Sequence, residues 1–541
     1  RAIDRHAGLF DRFDARDDDA VRRDIERLGD AVVLELGDAQ DGDDAEVARG
    51  ADAFEHAVER VRGVFVVDPN PVVARARDGA DGLGRHVFEH DGAPAEFAVA
   101  ADGPELIACH KGFLVGPVLA FRGRVVSYRS ETVRGNLLAL IVLVVASAAA
   151  GAVLARGAAW WSGRGGALDT STVPIVYRMY LGVSSVAVFV LVVGSFSLAL
   201  VQFVMLVFAL GAIAYAVYSR SRRHVDAEHF HLDPGGTFER FCLAMIVAAN
   251  VLTLVSALAP NTNWDAGVAH LALPSDYARE GRIHFVEGNV YTAYPHLIHS
   301  LYAYAFAQSG EQGATLVSWG LGVLACMAVF ELGTVIGSRS AGYASAALFA
   351  TAPIFFNQSG TGGVDVPFAG STIAALAATM RWRADGRAIW PVMAAVLAGA
   401  SCGVRHTGYL VCALLAVGAW AFACGGRTRP VAVFAAVAAC AAGPWLARSW
   451  IVAGNPVYPF LSSVFPGVTV TDVQTTGLLA HETAKSASIV DFLYFPWDIV
   501  MRPGRFDGWR NSPGPIVLAL GVPGLLVGGA AARWLGAYSV A

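Results

Sequence analysis

From Tyr180 to Tyr218 the chain reads YLGVSSVAVFVLVVGSFSLALVQFVMLVFALGAIAYAVY, without a charged residue. A single helix over this run, at about 1.5 Å per residue, would measure about 58 Å, nearly twice the roughly 30 Å of hydrocarbon in a bilayer. It is therefore read as two spanning helices folded back near Gly194–Ser197. Similar apolar runs lie at 136–156, 239–259, 314–336, 341–356, 364–380, 389–404, 407–424, 430–447 and 514–534. Together they predict an α-helical polytopic membrane protein of about 11 spanning helices. The 541 residues are 55% apolar, with a mean hydropathy of +0.49, which excludes an ordinary soluble protein.

No such run precedes residue 136, so residues 1–135 are expected to form an N-terminal soluble α/β region. AVVLEL (31–36) and GVFVVDP (63–69) read as buried strands around a helix over 43–61, and FAVA, ELIA and FLVGPVLAF as further short strands. VLELGDAQDGD lacks the glycine spacing of a dinucleotide loop, so an Asp-rich solvated surface is the better reading. The expected organisation is 1–135 soluble, 136–235 membrane helices with a basic linker, and 236–541 a second membrane domain. A chain that starts at Arg1 and stops close behind an apolar run reads as a candidate fragment.

A net charge of −5 argues against a nucleic-acid partner. Lys111 and Lys485 are the only lysines, a bias of GC-rich prokaryotes or halophiles. The seven cysteines form no CxxC pair and fall mostly in apolar runs, as small buried side chains do.

Arginine placement predicts the topology. SRSRRH (219–224), RWRADGR (381–387) and GGRTRP (425–430) should be cytoplasmic. Counting helices between them puts the loop after 259, Asp365, the Arg405–His406 turn and the long loop 448–513 on the extracytoplasmic face. By the same count the segment 294–310 cannot span, and it is expected to be a helix lying at the interface. The count leaves the side of residues 1–135 open.

The polar residues on that one face are the candidates for chemistry. Asp265 and Asp365 each follow or open a spanning helix at its outer end. A carboxylate there can act as general base toward a hydroxyl, ligate a divalent cation, or serve only as a helix cap. Arg405 and His406 interrupt an apolar stretch. The guanidinium suits a phosphate, and a snorkelling residue in a polar turn is the alternative. Arg448 is a second phosphate candidate. His270, His284, His296 and His299 share one loop without metal-ligand spacing, so hydrogen bonding is favoured over zinc. Glu331, inside a helix, is expected to pair with a polar neighbour. No Walker loop, GxSxG elbow or inverted repeat of broken helices is found.

Four segments in order carry a resemblance. They are WDAGVAHLALPSDYAREGRI followed by NVYTAYP, VDVPFAGSTIAALAATMRW, AGASCGVRHTGYL, and WLARSWIVAGNPVYPFLSSVFPG. Together, over about residues 238–534, they resemble the bacterial GT-C membrane glycosyltransferases, relatives of the aminoarabinose transferases and protein O-mannosyltransferases. The resemblance implies a GT-C-like helical bundle in the cytoplasmic membrane of a prokaryote. It also implies a polyprenyl-phosphate-sugar donor, a glycan, lipid or protein acceptor, and inverting displacement on the extracytoplasmic face. Asp265 would be the base, Asp365 would support the acceptor or a metal, and Arg405 and Arg448 would hold the donor phosphate. Trp264, His270, Tyr277, Tyr291 and His406 would line the acceptor side. A divalent cation (Mg or Mn) is expected only weakly, because Ala266 stands where a second acid would follow Asp265. The alternative is a polyprenyl-lipid or polysaccharide carrier or flippase without transfer chemistry. A third reading is an inactive membrane scaffold, with the N-terminal domain as the working part.

Overall fold

The computed structural model describes residues 97–98, 107–110, 113–114, 133–161, 173–222, 234–261, 263, 265–286, 289–422, 428–461, 464–465, 489–506 and 508–527. The chain divides into two compact units, Arg1–Ser127 and Tyr128–Ala541. In the first, β1 (Phe97–Ala98), β2 (Ile107–His110) and β3 (Phe113–Leu114) pair antiparallel in that order. The strands expected at 31–36 and 63–69 and the helix at 43–61 lie outside the described residues.

The second unit is helical. The hairpin expected at residues 180–218 is present as α2 (Ile175–Gly194) and α3 (Leu198–Arg222), folded over Ser195–Ser197. It packs with α1 (Val133–Trp161). Glycines set the closeness of α1 and α2. A Cβ at Gly151 would fall 1.7 Å from the Arg178 carbonyl oxygen, and one at Gly182 1.7 Å from that of Ser147. Without a hydrophobic drive between helices in lipid, such backbone approach supplies the packing.

After α4 (Thr237–Leu258) the longest helix, α6 (Leu297–Ile336), runs through the middle of the unit and touches α1, α2, α3, α4, α7 (Arg339–Ala350) and α9 (Asp365–Asp385). It is kinked at Ser309 and Gly310, where the glycine takes φ 70°. The short α8 (Pro353–Gln358) precedes α9. It is followed by α10 (Ile389–Ser401), α11 (Gly408–Phe422), α12 (Thr428–Ala453), α13 (Ile489–Met501) and α14 (Pro515–Val527).

Leu200, Phe203, Val207, Leu210 and Val217 of α3 and Phe241, Val251 and Val255 of α4 are all exposed. Helices that present apolar side chains outward belong in lipid, and the protein is a multi-pass membrane protein. Two expectations change. Among the described residues six helices, not about eleven, are long and apolar enough to cross a membrane. The runs at 341–356 and 389–404 fold into shorter helices. α10 would measure only about 20 Å at the usual helical rise. The segment 294–310 is also not an interfacial helix with one wet face. Every side chain from Leu297 to Ala305 is buried, so this first part of α6 is enclosed by protein.

Glu331 pairs as expected. It binds Arg381 and accepts a hydrogen bond from Tyr177 at 3.1 Å, tying α2, α6 and α9 together. Of the described cysteines Cys242, Cys326 and Cys402 are buried, but Cys440 is exposed.

Candidate active site

The loop after α4 is pinned at its start. Asn261 Nδ2 donates to the Thr361 carbonyl at 2.5 Å, and the Asn263 side chain accepts from Ala266 N at 3.2 Å. The next turn is a π-helix over Ala266–His270, an uncommon geometry that often marks functional positions. Leu271 then packs on Gly362, so this loop and the one leading into α9 touch. Asp265 sits at the head of the π-helix. It is exposed and makes no side-chain capping bond. Among the described residues its carboxylate has no hydrogen-bond or ion-pair partner. Asp365 caps nothing either, for α9 begins at Asp365 itself. Its carboxylate instead forms an ion pair with Arg405, from the turn between α10 and α11.

Beneath these groups lies a buried array. α5 (Ala272–Glu280) supplies Tyr277, and the first turn of α6 supplies His299, with His296 just before it. His296 Nδ1 lies 2.8 Å from the Tyr294 carbonyl, which can only accept, so that nitrogen carries the hydrogen. Its Nε2 must then accept from the Tyr277 hydroxyl, at 2.8 Å. His270 Nδ1 and His299 Nε2 are 3.0 Å apart. The two pairs are held together by His296 stacking on His299, with ring centres 4.7 Å apart and planes at 26°. Tyr277, His296 and His299 are all buried.

Arg448, near the end of α12, enters this array and is itself only 8% exposed. It lies close to Tyr277 and 3.5 Å from the Tyr294 carbonyl. Among the described residues no carboxylate pairs with it. In the last turns of α12 Ser449 donates to the Ala293 carbonyl at 3.1 Å, and past the helix Asn455 folds its segment by donating to the Phe460 carbonyl at 2.8 Å. An aromatic cluster closes the end. The Tyr294 ring is 5.2 Å from Tyr291, 5.1 Å from His406 and 6.3 Å from Tyr458, and His406 is 5.2 Å from Phe460.

Burial disfavours charge on the imidazoles. It lowers His270 to about 4, helped by the Arg405 charge. It also lowers His406 to about 4, against a hydrogen bond to the Tyr458 backbone and with Arg405 again contributing. His296 is pushed well below its ordinary value by burial, then by Arg448, while burial raises the Tyr277 phenol. The array is therefore neutral near pH 7, and the positive charge at the site resides on Arg405 and Arg448.

The structure thus brings together His270, Tyr277, Tyr291, Asp365, Arg405, His406 and Arg448 from four separated segments. Asp265 stands on the same loop as His270, and Trp264 lies outside the described residues. The sequence reading gave His296 and His299 only a general hydrogen-bonding role and passed over Tyr294. Their signal was the His-x-x-His spacing, which puts two rings on one face of a helix. The residues do not fit a Mg or Mn site. The Asp365 carboxylate is taken by Arg405, and no three or more His, Cys, Asp or Glu side chains are grouped to hold a metal among the described residues. A cavity of 270 Å³ lies elsewhere, between α1, α3 and α6, lined by Leu138, Val142, Gln202, Phe203, Tyr304 and Gln308 among others. No residue of the site lines it.

No family model and no curated protein matches this chain. Two solved structures from Archaeoglobus fulgidus are similar in part. One is the archaeal oligosaccharyltransferase AglB in complex with an inhibitory peptide and a dolichol-phosphate. It is 16% identical, with a TM-score of 0.28, over 46% of this chain and 37% of that one. The other is an oligosaccharyltransferase in the apo form, 18% identical, with a TM-score of 0.31, over 53% of this chain and 37% of that one. The match thus spans little more than a third of the length of either.

Proposed function

We propose that this protein is a membrane glycosyltransferase. It takes a sugar from a polyprenyl-phosphate-linked donor and passes it to an acceptor hydroxyl at the extracytoplasmic face. The observation that carries this reading is a pairing of opposites at one end of the helical unit. Asp265, an exposed carboxylate without a cationic partner among the described residues, shares a loop with the array into which Arg448 is inserted, a guanidinium without an acidic partner among those residues. A buried charge left uncompensated is expensive to hold, and an incoming phosphate would compensate it.

In this reading the acceptor oxygen attacks the anomeric carbon while its proton passes to Asp265. The bond from that carbon to the phosphate oxygen breaks, and the polyprenyl phosphate leaves with the electron pair. Displacement in line inverts the anomeric centre. Arg448 offsets the charge developing on the phosphate, with the Tyr277 hydroxyl and neutral imidazoles fixing its direction. Asp365 positions Arg405, whose half-exposed guanidinium extends the positive rim of the site.

The test is sugar transfer from a radiolabelled polyprenyl-phosphate sugar by purified protein in liposomes. Asp265→Asn should abolish transfer and leave donor binding intact, whereas Arg448→Gln should weaken donor binding itself. Full transfer by Asp265→Asn removes the base from the scheme. Movement of the donor across the membrane by that variant, with no transfer by either form, would instead identify a lipid carrier.

A further inference from the structure

α13 carries an apolar stripe that the proposed chemistry does not use. Val490, Tyr494, Trp497 and Met501 are 56%, 60%, 51% and 48% exposed. Their spacing of four, three and four places them on one helical face. Asp498 and Val500, on opposite sides of the stripe, are buried, and Phe495, off the stripe, is exposed as well. Asp498 is paired with Arg505, while Arg502 stands 3.6 Å away. Those two arginine side chains are 56% and 65% exposed, and Arg510 and Trp509 just beyond them are exposed as well.

We infer that α13 is an interfacial helix lying in the headgroup layer of the membrane, with its stripe among the lipid chains and Arg502, Arg505 and Arg510 on anionic lipid phosphates. Three observations select this occupant. The stripe is continuous with lipid-facing surface, because α13 packs on α14, whose Ile516, Val517 and Leu520 are exposed. Tyrosine and tryptophan beside arginine is the composition of the membrane–water boundary, where an amphipathic ring and a cation are both satisfied. The segment that follows the helix is also fixed at the site end of the unit. Asn511 accepts from Asn357 Nδ2 at 2.6 Å, and the Ser512 carbonyl accepts from Ile354 N at 3.1 Å, on the short helix that precedes the Asp365 loop. The helix thus ties the level of the candidate site to the lipid surface.

The experiment uses the full chain in nanodiscs of phosphatidylcholine with and without phosphatidylglycerol. Benzoylphenylalanine in place of Tyr494 should crosslink to phospholipid. Hydrogen exchange over 489–501 should be several-fold slower with phosphatidylglycerol present. Arg502→Gln with Arg510→Gln should remove the phosphatidylglycerol dependence, and Trp497→Ser should speed exchange in both discs. Two results would overturn the inference. One is a crosslink to protein or added acceptor rather than to lipid. The other is exchange identical in both discs and in lipid-free amphipol.

Discussion

Arg405, in the turn between α10 and α11, is ion-paired to Asp365 at the first turn of α9. The sequence reading gave the two residues different tasks, one toward the donor phosphate and one toward the acceptor. The structure shows that each is the other's partner. Their side chains are 48% and 41% exposed, so the pair contributes little stability, about 0–1 kcal/mol. Asp365→Asn should leave the melting temperature nearly unchanged and lower transfer about tenfold or more, since a misplaced guanidinium affects the reaction more than the fold. Arg405→Gln should do the same. The double variant should be no worse than either single one, because both remove one interaction. Additive losses would assign the two residues separate roles.

Tyr277 is the hub of the buried array, donating to His296 Nε2 at 2.8 Å with Arg448 close by. Tyr277→Phe leaves the ring packing but strands His296 Nε2 inside the protein. The expected loss is about 1–3 kcal/mol of stability for a buried group left unsatisfied. Thermal unfolding in detergent would show it as a lowered midpoint, and donor affinity should fall with it as Arg448 loses its guide.

The apolar patterning made the helical class legible, together with the fold-back of α2 and α3 and the polar pairing of Glu331. A charge-free run nearly twice the bilayer thickness has few other solutions. Spanning number was less legible. Composition sees that residues 389–404 are apolar, but not that α10 will be covered by neighbouring helices rather than by lipid. The same limit hid the burial of residues 297–305. Aromatic and histidine residues read as interfacial on a helix face, whereas here they are enclosed on all sides. Of the site, the charged residues could be picked out because a charge inside an apolar run must have a reason. The pairing of Tyr277 with His296 and of His270 with His299 could not, since it depends on α5 and the π-helix before it meeting the start of α6.

The contact between α1 and α2 rests on two glycines. A Cβ at Gly151 or Gly182 would overlap a carbonyl oxygen of the facing helix, which neither backbone can yield without moving the whole helix. Gly151→Val and Gly182→Val should each sharply reduce the yield of folded protein. Gly211→Ala, where a Cβ meets nothing within 4 Å, should be neutral or slightly stabilising for a helix. Size-exclusion profiles of the three variants would check this.

The two histidines lowered to about 4, His270 and His406, give the fold a pH dependence whose sign can be worked out. Unfolded, each takes up a proton near its ordinary value of 6.5; folded, each refuses it down to about 4. Between those values the unfolded chain binds more protons, so stability falls as pH drops through the window, levels below it, and is fully present above 6.5. Melting temperature measured from neutral to acidic pH should therefore decline below 6.5 in the native protein. Other acidic groups add to that decline, so the difference between proteins is the informative quantity. In His270→Asn with His406→Asn the decline should be shallower, because two groups that resist protonation have been removed. Parallel curves for the two proteins would mean that these imidazoles are not held neutral by burial beside Arg405. Protonation of either ring in the folded protein would also place a second positive charge next to that guanidinium, so transfer activity should fall only as pH approaches 4.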